Sequence, residues 1–130
     1  MEFLQPENWV KPKGYANGVA AQGRMVFTGG LIGWDENETF PSGDFAEQVH
    51  QTFKNIVAVL AEAGAKPSDI TRLTWYITDK KAYLSSLKEI GAAYRDCFGR
   101  HFPAMAVVQV SALMEDEAKV EIEATAVIEE

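Results

Sequence analysis

Two residues of this chain stand where a proton could be moved. Glu121 lies in the run Val120-Glu121-Ile122-Glu123-Ala124. If that run is a strand, its carboxylate faces away from Val120 and Ile122. Covered by a neighbour, the carboxylate would lose solvent, and desolvation raises a carboxyl pKa and suits it to exchanging protons with water. Left open, it is an ordinary solvated strand charge. Tyr15 follows Gly14 in Gly14-Tyr15-Ala16-Asn17-Gly18. A turn there can present the phenol to a pocket, or simply pack the ring. Trp34 and Trp75 could line such a pocket, although core use is ordinary for both.

Other chemistry is poorly supported. Gly29, Gly30 and Gly33 spell G-G-x-x-G, but a phosphate cradle needs its glycines to open a helix. Here Leu31-Ile32 and a polar loop follow. Cys97 is the single cysteine and sits beside an apolar-stripe residue, Phe98, which suits packing better than nucleophilic work. His50 and His101 are too scattered for a metal site. No nucleophile-elbow motif occurs. The expectation is a protein without metal or cofactor.

The elements that must hold these residues can be read from pattern. The first dozen residues, polar with Pro6 and Pro12, read as an extended arm. Val19-Ala20-Ala21 and Arg24 to Thr28 read as strands joined by a Gln22-Gly23 turn. Adjacent glycines 29 and 30 inside a strand mark a bulge or a close backbone approach. Asp44 opens a helix from Phe45 to Ala63, with Val49, Phe53, Ile56, Val57 and Leu60 on one face. Asp44 with Glu47 resembles a capping box, and Gly64 is the stop. Ile70 to Thr78 is a β-branched and aromatic strand. Asp79 caps a second helix with the stripe Tyr83, Leu84, Leu87, Ile90, Tyr94, Phe98, ended by Gly99. Strands follow from Ala104 to Val110 and from Lys119 to Ile128. The order is ββαβαββ over a single domain, 1–130: an α+β fold with one sheet and its helices on one face.

That layout constrains assembly. In the last strand Val120, Ile122, Ala124 and Ala126 face one side, and Glu121, Glu123 and Thr125 the other. The strand Ala104 to Val110 is largely apolar on both sides. Two helices cover one face only, so Met105 and Val107 are expected on the uncovered face. A second copy of the chain is the simplest cover, and a pocket would form where that face meets a neighbouring subunit.

The 130 residues carry 12 Lys+Arg against 19 Asp+Glu, a net charge of −7. A nucleic-acid partner is disfavoured, because such binding rests on cationic side chains. No apolar run reaches the ~18–20 residues of a membrane span, and the N-terminus has no signal-peptide pattern. With one cysteine, no internal disulfide forms. A cytoplasmic protein is expected.

Several segments, taken together, resemble one family. Gly14-Tyr15-Ala16-Asn17-Gly18, Val26-Phe27-Thr28-Gly29-Gly30-Leu31-Ile32-Gly33, Phe102-Pro103-Ala104 and Val120-Glu121-Ile122-Glu123-Ala124 are similar in type and order to the Rid/YjgF proteins, also known as L-PSP endoribonuclease-like. The resemblance spans nearly the whole chain, and its specific part is F-P-A and V-E-I-E-A. It implies a chorismate mutase-like fold, a homotrimer, and a small-molecule metabolite bound in the cleft between subunits.

Members with the deaminase pattern hydrolyse reactive enamines and imines, such as 2-aminoacrylate, to ketoacids and ammonia. In them an arginine after F-P-A grips the substrate carboxylate, a cysteine lies two positions on, and a serine stands at position 29. This chain has Met105, Val107 and Gly29. Tyr15 and Glu121 match the family's pocket tyrosine and the glutamate that positions water. An Arg–carboxylate pair is bidentate and charge-assisted; methionine offers a flexible thioether. Two readings follow. One is a divergent deaminase of a larger or aromatic-derived substrate, of the aminomuconate type. Glu121 and Tyr15 are then catalytic, and Gly29, Gly30, Trp34, Met105 and Val107 bind substrate beside Phe27. Arg24, Arg72, Arg100 or Lys119 would supply the missing cation. The alternative is a non-catalytic small-molecule-binding trimer. An endoribonuclease role finds no support in an acidic chain without paired histidines.

Overall fold

The computed structural model describes residues 1–130. Strands β1 (Glu2–Phe3) and β2 (Val19–Ala20) form a small antiparallel sheet of their own. Strands β3 (Arg24–Phe27), β4 (Leu31–Ile32), β5 (Ile70–Ile77), β6 (Ala104–Gln109) and β7 (Val120–Ile128) form one mixed sheet. Helices α1 (Phe45–Ala61), α2 (Lys80–Ser85) and α3 (Leu87–Phe98) lie on one face of it. The α+β architecture is therefore the expected one. The order across the sheet is β3-β7-β5-β6, with β4 also on β7. Only β5 and β6 run parallel.

Helix α1 forms as its sequence dictates. Asp44 has extended backbone angles, and its carboxylate accepts the Glu47 N–H at 3.0 Å. Glu47 does not reach back to close the box. Its carboxylate takes the Ser42 hydroxyl, and Ser42 Oγ accepts the Asp44 N–H at 2.9 Å. The last residues before Gly64 (φ +78°) tighten into shorter-range bonds, so the helix ends at Ala61 rather than Ala63. Val49, Phe53, Ile56 and Leu60 are fully buried against the sheet. Each such side chain contributes about 1.5–3 kcal/mol of transfer free energy.

The second helical stretch is broken. Asp79 caps it, accepting the Lys81 and Ala82 N–H groups at 2.9 and 3.2 Å. At Ser86 the backbone leaves helical geometry (φ −112°, ψ 13°). The break rotates the stripe: Ile90, Tyr94 and Phe98 are buried, but Leu84 and Leu87 are about half exposed, at 52% and 51%. Gly99, at φ +67°, ends α3 as expected.

The N-terminal region differs from its pattern. The arm is not unpaired, since Glu2 and Phe3 take Ala20 and Val19 as partners. Gln22-Gly23 therefore makes no hairpin, and β3 pairs with β7 instead. A Cβ on Gly23 would come 2.8 Å from the Ile128 carbonyl carbon, so only glycine fits beside that strand end.

The twin glycines do form a bulge. Phe27 pairs with Thr125 and Leu31 with Ile122. One strand thus advances four residues while the other advances three. Thr28 mends the ladder: its N–H donates to Ala124 O at 2.9 Å and its hydroxyl accepts the Ala124 N–H at 2.9 Å.

Register corrects one expectation. Met105 pairs with Leu73 and Val107 with Trp75, both buried on the helix side. Met105 and Val107 therefore pack towards the helices and not on the uncovered face. That face carries Ala106 and Val108 from β6, then Thr74 and Tyr76, then Glu121 and Glu123. Its exposed apolar residues sit on the outer strands: Met25 and Phe27 on β3, Val108 on β6. No helix is long and apolar enough to cross a membrane.

Candidate functional site

The predicted site residues divide into two groups at opposite edges of the sheet. Tyr15, Met105 and Val107 line a cavity of about 430 Å³ at the β6 edge. Gly30, Trp34 and Glu121 line a hollow of about 390 Å³ at the β4 edge. Strands in a sheet lie ~4.8 Å apart, so Glu121 on β7 stands two strands, about 10 Å, from Met105 on β6. Glu121 also points to the face opposite Met105, because Glu121 pairs with Tyr76 whereas Met105 pairs with Leu73. Within one protomer these residues do not meet.

At the β6 edge, loop geometry fixes Tyr15. Gly14 adopts φ +78°, and the Ala16 N–H donates to Pro103 O at 2.9 Å, placing Ala16 beside Ala104. Tyr15 then flanks the strand, 44% exposed, and its hydroxyl has no partner in the protomer. Tyr94 forms the inner wall. Its hydroxyl donates to His101 O at 2.6 Å, its ring stacks on Phe102 at 5.2 Å, and burial pushes its pKa up. His101 Nε2 lies 2.6 Å from Ile70 O, securing the F-P-A turn. Trp75 closes the back, held edge-on by Phe53 at 5.4 Å. It is core, and yet it lines the cavity, and its Nε1–H is buried without an acceptor.

The cations of this cavity are Arg95 and Lys13. Neither is among the four expected from sequence. Arg24 donates to Ala63 O at the far end of the sheet. Arg72 lies on the uncovered face of β5, paired with Ala104. Arg100 borders a neighbouring hollow with Tyr15 and Phe102, and Lys119 a different one beside Asp79 and Ser111.

At the β4 edge, the Glu121 carboxylate lies over Gly30. A Cβ on Gly30 would come 2.8 Å from Glu121 Cδ. The carboxylate makes no hydrogen bond or ion pair within the protomer. Gly29 borders open space, and Phe27 is 65% exposed on the uncovered face; neither lines the hollow. Two polar α1 residues hold this edge in place. Asn55 Nδ2 donates to Ile32 O at 2.9 Å and Trp34 O at 2.7 Å. Gln48 is fully buried and fully paired: its amide donates to Ser42 O and Glu117 O, both at 3.0 Å, and its Oε1 accepts the Lys119 N–H at 2.9 Å. Gly33 admits α1, since a Cβ there would sit 2.6 Å from Gln48 O. A polar residue on a helix's buried face is the signal that could have found Gln48.

One cluster has metal-ligand character. His50, Asp96 and Cys97 bring donor atoms within 4.8 Å of one another across α1 and α3, although the histidines are scattered in sequence. The His50–Asp96 contact at 2.9 Å accounts for the pairing. Burial, with the Asp96 charge, pushes the Cys97 thiol up and away from the thiolate a metal needs.

Comparison with known proteins gives a consistent result. The family model described as Endoribonuclease L-PSP matches residues 9–128. A RutC family protein of Pyrococcus abyssi is 33% identical over 126 residues, 96% of this chain and 95% of that one. A 2-iminobutanoate/2-iminopropanoate deaminase of Salmonella typhimurium is 35% identical over 116 residues, 87% of this chain and 86% of the relative. The crystal structure of YyfB from Yersinia pestis, described as a conserved Rid family protein, superposes with a TM-score of 0.84 at 29% identity, covering 98% of both chains.

Proposed function

The chain belongs to the Endoribonuclease L-PSP family, the Rid/YjgF proteins, and on that premise we propose that it hydrolyses an imine or enamine larger than 2-aminoacrylate in a cleft shared by two subunits. A role like that of a reactive-intermediate deaminase is what its relatives support. The substrate class and the shared cleft are our reading.

The observation that carries it is the separation of the two half-sites. Tyr15 and the Met105 wall stand at one sheet edge, and an unpartnered Glu121, on the inner strand β7, lines the hollow at the other. A head-to-tail contact sets the β6 edge of one copy against the β4 edge of the next, and such contacts form a ring where the rotation between copies closes. A homotrimer is the ring we infer. Exposed Phe27 and Val108 then lie where copies meet.

In that cleft Glu121 holds the water. Its oxygen bonds to the imine carbon while Glu121 Oε2 takes a proton. That proton passes to nitrogen, giving a carbinolamine; its hydroxyl then gives up its proton, which reaches nitrogen through Glu121, the C–N bond breaks, and ammonia leaves as the carbonyl forms. An enamine first takes a proton on its β-carbon to become the imine. Tyr15 orients the substrate through its free hydroxyl. Proton transfer of this kind contributes typically 10²–10⁴-fold. Glu121→Gln tests it: ammonia release from imines generated in situ should fall by at least ~100-fold with the fold intact by circular dichroism. Unchanged release overturns Glu121's role. Saturable binding by a wild-type protein with no turnover would instead favour a non-catalytic binder.

A further inference from the structure

We propose that Arg95, with space cleared for it by Gly91, is the cation that grips the substrate carboxylate in the Met105 cavity. This rests on the deaminase reading for its chemistry, but its binding arm stands alone. Residues 91 and 95 are one turn apart on the same face of α3. Long side chains run back towards the helix N-terminus, so the Arg95 guanidinium lies over residue 91. A Cβ on Gly91 would sit 3.4 Å from Arg95 Nη1, in contact with the guanidinium. Glycine inside a helix is unfavourable relative to alanine, and here its bareness leaves the cavity wall open to the arginine.

The surroundings suit an organic acid. Arg95 has no carboxylate partner in the protomer. No acidic residue lines the cavity, and Lys13 adds a second cation, in a chain of net charge −7. The Trp75 Nε1–H, buried and without an acceptor, lies in the same wall. The rest is apolar: Met105, Val107, Leu87 and Ile90. A guanidinium matches a carboxylate with two parallel bonds, which an ammonium cannot. Arg95 is on the helix wall, and Met105 on the facing strand. The acid is therefore gripped from the helix side while its side chain lies along Met105. The class this fits is a 2-imino acid with a branched or aromatic side chain.

The test uses the imino acid made in situ from L-phenylalanine by an amino-acid oxidase, with phenylpyruvate and neutral phenylacetamide as binding probes. Arg95→Gln should raise the Kd for phenylpyruvate at least tenfold and lower kcat/KM mainly through KM. Arg95→Lys should recover part of both, and phenylacetamide binding should not change. A phenylpyruvate Kd within twofold of wild type in Arg95→Gln overturns the proposal, as does a wild type that does not bind phenylpyruvate. A wild type that binds phenylpyruvate through Arg95 yet hydrolyses no imine supports this inference and overturns the deaminase reading.

Discussion

The carboxylate of Glu121 rests directly on Gly30, close enough that a Cβ there would approach Glu121 Cδ to 2.8 Å. The atom in the way is the far end of a flexible side chain, so the protein can absorb a methyl group by turning Glu121 aside. Gly30→Ala should therefore leave the melting temperature nearly unchanged. Water would then be held in the wrong place, and a misplacement of ~1 Å can cost ~100-fold in rate. Calorimetry alongside an ammonia-release assay checks both halves. A variant as active as wild type would show that the carboxylate's position does not matter.

Met105 lines the cavity on the wall facing α3, at the position where the resemblance to the deaminases implies an arginine. Met105→Arg puts a bidentate cation on the strand side. Small imino acids, such as 2-iminopropanoate, should gain at least about tenfold in kcat/KM, roughly 1.4 kcal/mol of transition-state binding. Larger substrates should lose, because the arginine fills the space their side chains need. Competition between the imino acids of alanine and phenylalanine reads the change. No shift in preference would mean that position 105 does not face substrate.

Much of this was legible in the chain, and the exceptions have physical causes. Asp44, Asp79, Gly64 and Gly99 set helix ends through local chemistry, and local chemistry reads well from sequence. The alternation of β7 was equally plain, because its two faces differ in polarity. β6 carries apolar residues on both faces, so its pattern is silent about which one meets the helices. Only the register with Leu73 and Trp75 decides that. The β1–β2 pairing joins residues 2 and 20 across a polar loop, with strands too short to show a period. Arg95 and Lys13 escaped notice because a helix and a loop distant in sequence bring them to one cavity. Pattern alone left Tyr15 and Glu121 each with a functional and an ordinary reading, and the resemblance is what implied a site role for both.

Thr28 completes the bulge that carries Gly29 and Gly30 to the site edge. Its hydroxyl accepts the Ala124 N–H at 2.9 Å and donates to Gly29 O at 2.8 Å. Thr28→Val keeps the shape and removes both bonds, leaving a buried N–H without an acceptor. The expected cost is about 1–3 kcal/mol, read by urea denaturation as a lower midpoint at unchanged slope. The strain falls on the turn that holds Gly30 beneath Glu121, so catalysis should fall as well. Stability equal to wild type would mean that the ladder closes by another route.

The proposed division of the site between two sheet edges makes a prediction that no single-protomer site can meet. Take Tyr15→Phe, which disables the β6 half, and Glu121→Gln, which disables the β4 half. Each alone spoils every cleft of a ring, because each cleft draws one half from either neighbour. In a ring assembled from both variants, a cleft escapes damage when its β6 half comes from a Glu121→Gln subunit and its β4 half from a Tyr15→Phe subunit. With random mixing that is roughly a quarter of clefts, in a head-to-tail ring of any size. Co-expressed and co-purified variants should therefore recover about a quarter of wild-type activity. Simply mixing the two pre-formed assemblies should recover little until subunits exchange. Were Tyr15 and Glu121 to act within one protomer, every subunit would carry one lesion and no mixture would recover anything. Activity held at the parents' level, in mixed rings verified by mass spectrometry, rules the shared cleft out.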